Sequence, residues 1–389
     1  DEQSACSLSP LASTIETIFL NETFGAGTTR VNISANNPGA TTDYTYWDTN
    51  NDVYDGKYVV HYKLGGTTNP DATMVGSWGY FGMTISDDHT AGDTNGRMAF
   101  FNATATVGQV FYELPIDGIV PNIPLTFDFW AINTDTSNAA YIAAGHASEQ
   151  PRLIPRIRVD FVSTTSGLVL ATYDTGDITR CYSGIDCDPS DWKNFSYNPN
   201  LGSETSFKIR LSNISVGGLG NDIAIDDIKI SQTYCDNDSD GYPDIVDLDA
   251  DNDGIPDIVE AGFKTLSNNK SRMDGQTDAN GNGMADAVDS FISGGTYTLP
   301  DTDGDSVKDF IDLDSDNDTL FDIDESNPDS FSAYYNGDGD VDGDGKGETS
   351  DPDRDGIQTL NDDLVGYGST FKAYPADTDT DGIPDYLDT

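Results

Sequence analysis

Aspartates recur at a fixed spacing in the second part of this 389-residue chain, starting at Asp236. In most copies, carboxylates stand at positions 1, 3, 5, 9 and 12 of a frame, usually with glycine at position 6; one copy has Asn280 and Asn282 at positions 3 and 5, and another has Thr359 at position 9. Calcium binds about six to eight oxygens, and a loop of this kind turns the side chains at positions 1, 3 and 5 inward. Position 7 adds a backbone carbonyl, position 12 closes the shell, and glycine at position 6 permits the sharp turn. The spacing therefore predicts loops that each wrap one calcium ion.

Eight copies of this frame lie between Asp236 and Asp388, and we number them loops 1 to 8 in chain order. The predicted ligands of loops 1 to 4 are Asp236, Asp238, Asp240, Asp244 and Asp247; Asp249, Asp251, Asp253, Asp257 and Glu260; Asp278, Asn280, Asn282, Asp286 and Asp289; and Asp301, Asp303, Asp305, Asp309 and Asp312. Those of loops 5 to 8 are Asp314, Asp316, Asp318, Asp322 and Glu325; Asp340, Asp342, Asp344, Glu348 and Asp351; Asp351, Asp353, Asp355 and Asp362; and Asp377, Asp379, Asp381, Asp385 and Asp388. Ser306 and Thr319 replace the glycine in loops 4 and 5. An array of this length predicts several bound calcium ions.

Charge is distributed unevenly along the chain. The formal net charge is −49, and residues 236–389 carry 41 acidic and 7 basic side chains, a balance of −34. Self-repulsion of this size opposes a compact state unless cations neutralise it. One calcium ion per loop would reduce the balance from −34 to −18. Nucleic acid is excluded as a partner, because phosphate binding needs a basic surface.

Two other interpretations of the acidic segment stay open. An acidic run with few aromatic residues can be disordered, above all without calcium. The match of Asp249 to Glu260 to an EF-hand loop suggests instead an EF-hand or dockerin, in which two amphipathic helices flank the loop. The 13-residue step from Asp236 to Asp249 leaves no room for such helices, and 261–271 has no apolar helical stripe.

The four cysteines allow three connectivities. We favour Cys181–Cys187, which closes a short loop, and Cys6–Cys235, which ties the ends of the first domain, with four free thiols as the alternative. No apolar run approaches the ~20 residues of a membrane-spanning helix. Calcium loops, disulfides and high acidity together predict a secreted or cell-surface protein.

Residues 1–235 have the pattern of an all-β domain. Short runs rich in Thr, Val, Ile, Tyr and Phe alternate with Gly, Asn, Asp and Pro, and no long stretch has helical periodicity. The predicted strands include 58–62, 108–112, 125–130, 157–162, 168–173, 207–211 and 223–230. Many short strands at this spacing indicate a β-sandwich or jelly roll with long loops.

Three stretches of the first domain resemble MAM-like and lectin-like jelly rolls and the related carbohydrate-binding modules. They are 21–25 near the start, 88–90 with 96–98 in the middle, and 223–228 followed by Cys235. In that group a structural calcium often joins an early glutamate to an aspartate on the last strand. The resemblance therefore implies a calcium ion held by Glu22 and Asp226, with Asp227 and Asp88 as further candidates. The alternative is that Asp226 and Asp227 only cap a strand.

The acidic frame resembles thrombospondin type 3 repeats, most clearly at 235–241 and 377–388. In that family the chain has little regular secondary structure and winds around a row of calcium ions. A jelly roll followed by such repeats is similar to secreted surface adhesins of Bacteroidetes-type bacteria. Insertions at 261–277, 290–300, 326–337 and 363–376 depart from the family pattern, and we expect them to cover the calcium row with apolar side chains.

These patterns predict an all-β fold class with two domains. Residues 1–235 form an N-terminal β-sandwich jelly roll. Residues 236–389 form a loop-dominated calcium-binding repeat array with little regular secondary structure. A few apolar residues per loop cannot offset the entropy of ordering the chain, so folding of the array is expected to depend on calcium.

No catalytic motif accompanies these features. The three histidines are dispersed, and the chain contains no His-Glu-x-x-His, no Gly-x-Ser-x-Gly beside a triad and no phosphate loop. Calcium-ligating carboxylates also lack the desolvated cleft that acid catalysis needs. We therefore predict a non-enzymatic protein. Trp47 and Trp78 are candidates for stacking on sugar rings, with burial against the sandwich as the alternative.

The predicted function is that of a cell-surface or adhesion protein fragment, with a β-sandwich head carried on a calcium-stiffened stalk. One alternative is a glycan-binding module with its linker, cut from a larger secreted hydrolase. Another is a structural subunit of a surface filament. The expected partners are calcium and either glycans or neighbouring surface proteins, with no membrane-spanning segment.

Overall fold

The computed structural model describes residues 13–48, 53–63, 88–104, 106–134, 153–179, 191–215, 221–263, 266, 273, 277, 279, 285–292, 297–326, 345–347 and 377–388. The chain divides into two compact units. The N-terminal unit is Thr17–Gln232, and the C-terminal unit combines Thr233–Thr389 with Asp1–Glu16. The residue-level domain limits 1–235 and 236–389 stay predictions.

Eleven strands lie in the described residues. In chain order they are β1 (Ser13–Glu22), β2 (Thr45–Tyr46), β3 (Lys57–His61), β4 (Met98–Asn102), β5 (Val110–Asp117), β6 (Thr126–Asn133), β7 (Ile157–Ser163), β8 (Val169–Asp174), β9 (Lys193–Tyr197), β10 (Ser206–Asn213) and β11 (Ile223–Asp236). Successive side chains of a strand point to opposite faces, so alternating apolar residues bury one face. In β10, Phe207, Ile209 and Leu211 are fully buried, whereas Lys208 and Arg210 between them are partly exposed. The all-β prediction is confirmed.

The strands form two sheets that share one apolar core. The large sheet has the order β2-β3-β4-β11-β6-β9, with β1 also paired to β11, and the small sheet has the order β5-β10-β7-β8. β11 pairs antiparallel with β4 and with β6, and so is central in the large sheet. The core joins Phe101 and Phe129 of the large sheet to Phe161 and Phe207 of the small sheet. The N-terminal unit is therefore a β-sandwich, as predicted.

Loops dominate the described part of the C-terminal unit. Its helices are α1 (Asp257–Glu260), α2 (Asp286–Ile292) and α3 (Asp322–Ser326), with 3-10 turns at Asp309–Ile311 and Asp385–Leu387. Residues 236–248, which precede loop 2, contain no helix, so the EF-hand alternative lacks its first flanking helix. The prediction that loops dominate this part of the chain is confirmed. Among the residues that the structure describes, no helix has the length and apolarity of a membrane-spanning segment.

Loops that are distant in sequence pack on loop 2. Ile255 and Val259 of loop 2 form a buried cluster with Tyr386 of loop 8. Ala250 of loop 2 is buried against Ile311 of loop 4. In a linear array each repeat contacts only its sequence neighbours. Small apolar clusters therefore connect described loops that are not neighbours in sequence.

The predicted disulfides fall mainly outside the described residues. Cys235, on β11, is buried and disulfide-bonded. Cys6, Cys181 and Cys187 lie outside the part of the chain that the structure describes. The pairings Cys6–Cys235 and Cys181–Cys187 stay predictions.

Candidate metal centres

The carboxylates at positions 1, 3 and 5 converge in loops 1, 2, 4 and 5. In each of these loops, one oxygen from each of the three residues lies within 4.8 Å of the other two. The groups are Asp236, Asp238 and Asp240; Asp249, Asp251 and Asp253; Asp301, Asp303 and Asp305; and Asp314, Asp316 and Asp318. The structure thus brings together the three residues that the frame predicts to face one ion.

Backbone N–H groups fold each loop around these carboxylates. In loop 4, Asp305 N–H donates to Oδ1 of Asp303 (2.9 Å), and Val307 N–H donates to Oδ1 of Asp305 (2.6 Å). The same two bonds recur in loops 1, 2, 5 and 8. Aspartate accepts from the N–H two residues further on in an Asx turn, which bends the chain locally. At positions 3 and 5, one oxygen of each carboxylate accepts such a hydrogen bond, and the second oxygen is not needed for the turn.

The carboxylate at position 9 turns back onto its own loop. In loop 4, Oδ1 of Asp309 accepts the N–H of Thr302 (2.8 Å), and Oδ2 accepts the Thr302 hydroxyl (2.9 Å). The equivalent N–H of position 2 is bound in the same way by Asp244, Asp257, Asp286, Asp322 and Asp385. Position 9 therefore closes the loop, and none of the four groups contains it. The frame alone does not distinguish a carboxylate that closes the loop from one that faces the ion.

Two positions of the loop adopt left-handed backbone. Position 4, which the sequence did not single out, has φ of 67° at Ser239, 63° at Asn252 and 58° at Asn317. Position 6 also has positive φ, including 88° at Ser306 and 86° at Thr319, where the frame lacks its glycine. Non-glycine residues rarely adopt this region, and for β-branched residues it is a genuine outlier. The loops therefore keep the same backbone conformation at Ser306 and Thr319, although these residue types disfavour it.

Burial makes the charged form of these carboxylates unfavourable unless a cation neutralises it. In loop 2, Asp249, Asp251 and Asp253 are 0%, 2% and 0% exposed. Burial, followed by repulsion from neighbouring aspartates, raises the pKa of each well above its ordinary value. Oδ2 of Asp251 and Oδ2 of Asp253 are buried without a hydrogen-bond partner. Buried charges are normally paired or bound to metals, and an oxygen-only donor set suits a hard cation such as calcium.

The position 12 carboxylates of loops 1, 2, 4 and 5 have two different sets of partners. Asp247 and Asp312 accept the N–H of the residue that starts the next loop, at 3.0 and 3.2 Å. Glu260 and Glu325 are buried, and both have carboxylate oxygens without a hydrogen-bond partner. The glutamates are therefore available to a cation, whereas these aspartates use one oxygen to join tandem loops.

Some predicted ligands lie outside the described residues and stay predictions. They are Asp278, Asn280, Asn282, Asp340, Asp342, Asp344, Glu348, Asp351, Asp353, Asp355 and Asp362. Of loop 3, the structure describes Asp286 and Asp289, both on α2.

In the β-sandwich, the predicted ligands Glu22 and Asp226 have different partners. Glu22 is fully buried and accepts hydrogen bonds from the side-chain amides of Asn36 (2.7 Å) and Asn37 (2.6 Å). It also accepts the Tyr112 hydroxyl at 3.1 Å, so both of its oxygens have protein partners. A glutamate satisfied in this way fits a structural role at least as well as a metal-binding one.

Asp226 lies with other aspartates at an irregularity of β11. The register of β11 against β6 shifts between Asp226 and Lys229, and Asp227 has φ of 47°. Asp226 is fully buried and accepts the N–H of His89 at 2.8 Å. Burial, with the charges of Asp227 and Asp88, raises the pKa of Asp226 well above its ordinary value. The structure thus joins Asp226 to its predicted companions Asp227 and Asp88.

Asp93 completes this acidic cluster and was missed by the sequence analysis. A Cβ added at Gly96 would lie 2.1 Å from Oδ2 of Asp88 and 2.2 Å from Oδ1 of Asp93, so the glycine leaves space for both carboxylates. Burial, with Asp93 as the next cause, raises the pKa of Asp88 to about 7. Oδ2 of Asp88 is buried without a hydrogen-bond partner. The only sequence signal was a glycine three residues after an aspartate, which is too common to select Asp93.

One of the two predicted sugar-stacking residues is described. Trp47 is partly buried against the apolar cluster on the outer face of the large sheet, which includes Val59 and Phe100. Its ring lies 5.2 Å from the ring of Tyr54, which is 55% exposed. Trp78 lies outside the described residues.

Comparisons with known proteins assign no function to this chain. No family model matches the sequence, and no curated protein matches it. A carbohydrate-binding module of family CBM4 matches with a TM-score of 0.23 at 14% identity, over 35% of this chain and 70% of that chain. The CBM22-1 xylan-binding domain of Paenibacillus barcinonensis Xyn10C has a TM-score of 0.28 at 9% identity, over 57% and 97% of the two chains. The Stig cyclase Fisc from Fischerella sp. TAU has a TM-score of 0.33 at 14% identity, over 56% and 98%.

Proposed function

We propose that this chain is a non-enzymatic extracellular protein in which a β-sandwich is linked to a unit that folds around several calcium ions. The observation that carries the proposal is the convergence of the position 1, 3 and 5 carboxylates in four loops, all three of them buried in loop 2, some with unpartnered oxygens. The balance of −34 in residues 236–389 supports it, because a compact unit of that charge needs counter-ions. Extracellular calcium modules typically bind at about 10⁻⁴–10⁻³ M, so the unit would be loaded outside the cell.

The role of this unit is to supply a calcium-dependent support for the β-sandwich on a cell surface. The resemblance to surface adhesins favours that role, with the sandwich as the binding or presenting part. The packing of loops 4 and 8 on loop 2 modifies the predicted stalk, because sequence-distant loops stabilise one another. The support would then be a packed unit, and its stiffness would arise from these contacts as well as from the ions.

Chelation tests this proposal, because the two units can be followed separately. All four tryptophans precede residue 236, so tryptophan fluorescence reports the N-terminal unit alone. On calcium removal, hydrogen exchange in 236–263 and 297–326 is expected to rise to near that of an unfolded chain. Tryptophan emission should change little, because the sandwich has its own apolar core. Unchanged protection of the loops after calcium removal would contradict the proposal.

A second candidate function is glycan binding by the β-sandwich. The pairing of Trp47 with the exposed ring of Tyr54 favours it, because flat aromatic side chains stack on sugar rings. Trp47→Ala should then abolish binding on a glycan array. Leu168→Ala is the matched control, since Leu168 is 68% exposed on the same unit. Equal array signals for the two variants, or no signal for the unmodified chain, would rule out this use of Trp47.

A further inference from the structure

Three buried carboxylates from two sequence-distant loops meet in the C-terminal unit. Asp253 and Glu260 belong to loop 2, Asp322 belongs to loop 5, and one oxygen from each lies within 4.8 Å of the others. The three residues are 0%, 3% and 0% exposed. Oδ2 of Asp253, both oxygens of Glu260 and Oδ2 of Asp322 are buried and have no hydrogen-bond partner. The repeating frame assigns Asp322 to its own loop and so does not predict this group.

Asp322 differs from other residues at position 9 in the use of its second oxygen. Oδ2 of Asp309 accepts the hydroxyl of Thr302, and Oδ2 of Asp385 accepts the hydroxyl of Thr378. Oδ1 of Asp322 closes loop 5 in the usual way, by accepting the Ser315 N–H at 2.8 Å. Its Oδ2 makes no hydrogen bond, and Asp322 lies in the group with the loop 2 carboxylates.

Three ionised carboxylates cannot stay buried together without a counter-charge. Taking each ion out of water costs several kcal/mol, and like charges at this separation repel. Solvent screens this repulsion little, because the three carboxylates are almost fully buried. A hard cation removes both penalties, and Glu260, with two free oxygens, can bind it with both, as a position 12 glutamate does for calcium.

We propose that one calcium ion is shared between loops 2 and 5, with Asp253 and Glu260 as ligands from one loop and Asp322 as the ligand from the other. The inference rests on the proposed calcium-dependent folding and adds a specific connection to it. Asp322 then has two functions: one oxygen closes loop 5 and the other binds the ion of loop 2. Ion binding at loop 2 and ordering of loop 5 are thermodynamically linked, and the linkage is reciprocal.

Hydrogen exchange of the full chain across a titration with calcium chloride tests the shared site. Asp322→Asn keeps an oxygen for the Ser315 N–H and removes the charge. Asp309→Asn is the matched control at position 9 of loop 4, because both oxygens of Asp309 are bound by Thr302. Even partners outside the ligand shell change metal affinity by about 10–100-fold. Asp322→Asn should therefore raise the calcium concentration that half-protects 249–260 by at least about tenfold, whereas Asp309→Asn leaves it within about twofold.

The reciprocal variant covers the case in which Asp322→Asn simply unfolds loop 5. Glu260→Gln alters no hydrogen bond within loop 5, yet a shared ion requires it to raise the calcium concentration that half-protects 314–325. Protection of 314–325 that is unchanged by Glu260→Gln, or of 249–260 that is unchanged by Asp322→Asn, would overturn the shared site. Absence of calcium-dependent protection throughout the unmodified chain would instead overturn the proposed function.

Discussion

The side-chain amide of Asn317 donates a 2.8 Å hydrogen bond to Oδ2 of Asp303, fourteen residues earlier in the chain. Asn252 makes the same bond to Asp238, also fourteen residues earlier. In both cases position 4 of a loop holds position 3 of the loop before it. Loops 1 and 2 and loops 4 and 5 are therefore two copies of one two-loop module, in which an amide orients a carboxylate of the neighbouring group.

This amide bond should contribute to the stability of each module. Asn317→Gly keeps the left-handed backbone and removes the amide, so it should cost the calcium-loaded unit about 1 kcal/mol of unfolding free energy relative to the same substitution at a position 4 that lacks this bond. Ser239→Gly is the control, because Ser239 occupies position 4 of loop 1 and has no tandem loop before it. Urea unfolding followed by hydrogen exchange of the loop pair that holds each substitution, 301–325 or 236–260, measures the difference. Equal effects of the two variants would show that the amide bond contributes nothing.

The residues at position 6 of loops 4 and 5 should be replaceable by glycine with a gain in stability. Left-handed backbone costs a non-glycine residue about 1–2 kcal/mol, and the greater freedom of glycine in the unfolded chain offsets about 0.5–1 kcal/mol. Thr319→Gly should therefore stabilise the calcium-loaded unit by about 1 kcal/mol, and Ser306→Gly by somewhat less. Gly382→Ala should destabilise it, although open space surrounds the added Cβ. A loss of stability in Thr319→Gly contradicts this account.

The calcium-free C-terminal unit should gain order as the pH falls. Burial, opposed in part by a hydrogen bond from Asp249 and assisted by the charge of Asp238, raises the pKa of Asp247 to about 9. Burial and neighbouring aspartates likewise raise the pKa of Glu325 to about 8. The folded state then binds more protons than the unfolded state between about pH 4 and 9, so its stability falls as the pH rises through that range.

Circular dichroism of metal-depleted protein at pH 5 and pH 8 checks this sign. Without metal, the loops should be more ordered at pH 5 than at pH 8. With calcium, they should be more ordered at pH 8, because calcium binds the deprotonated carboxylates. Tryptophan fluorescence of the β-sandwich serves as the internal control. Greater order at pH 8 in the absence of metal would mean that the buried carboxylates are stabilised by something other than a cation.

The acidic cluster of the β-sandwich should respond to calcium independently of the loops. If Asp88, Asp93, Asp226 and Asp227 hold a cation, calcium raises the unfolding temperature reported by tryptophan fluorescence. Asp88→Asn should weaken that binding about tenfold, which removes about 1.4 kcal/mol and a few degrees of the calcium effect. Asp174→Asn, which breaks only the exposed ion pair with Arg156, is the control. A calcium effect of the same size in both variants would exclude Asp88 as a ligand.

The sequence alone predicted which segments form acidic loops and that the carboxylates at positions 1, 3 and 5 of a loop converge. This was possible because positions 1, 3 and 5 lie within one turn of chain, where Asx turns orient the carboxylates without help from the rest of the protein. The same local logic predicted strands such as 207–211, since period-two alternation defines a strand with one buried face. The sequence did not determine where the carboxylate of Asp309 points, because a carboxylate at position 9 can either face an ion or accept the N–H of position 2.

Only the tertiary structure decided how sequence-distant residues combine. Asp253 and Glu260 of loop 2 meet Asp322 of loop 5, although the repeating frame does not relate these two loops. Asp93 reaches Asp88 because Gly96 has no side chain at the point where the two carboxylates approach. Such contacts depend on the packing of elements that the local pattern does not relate to one another. The spacing of acidic residues therefore specifies each loop, and long-range packing specifies which loops share their charges.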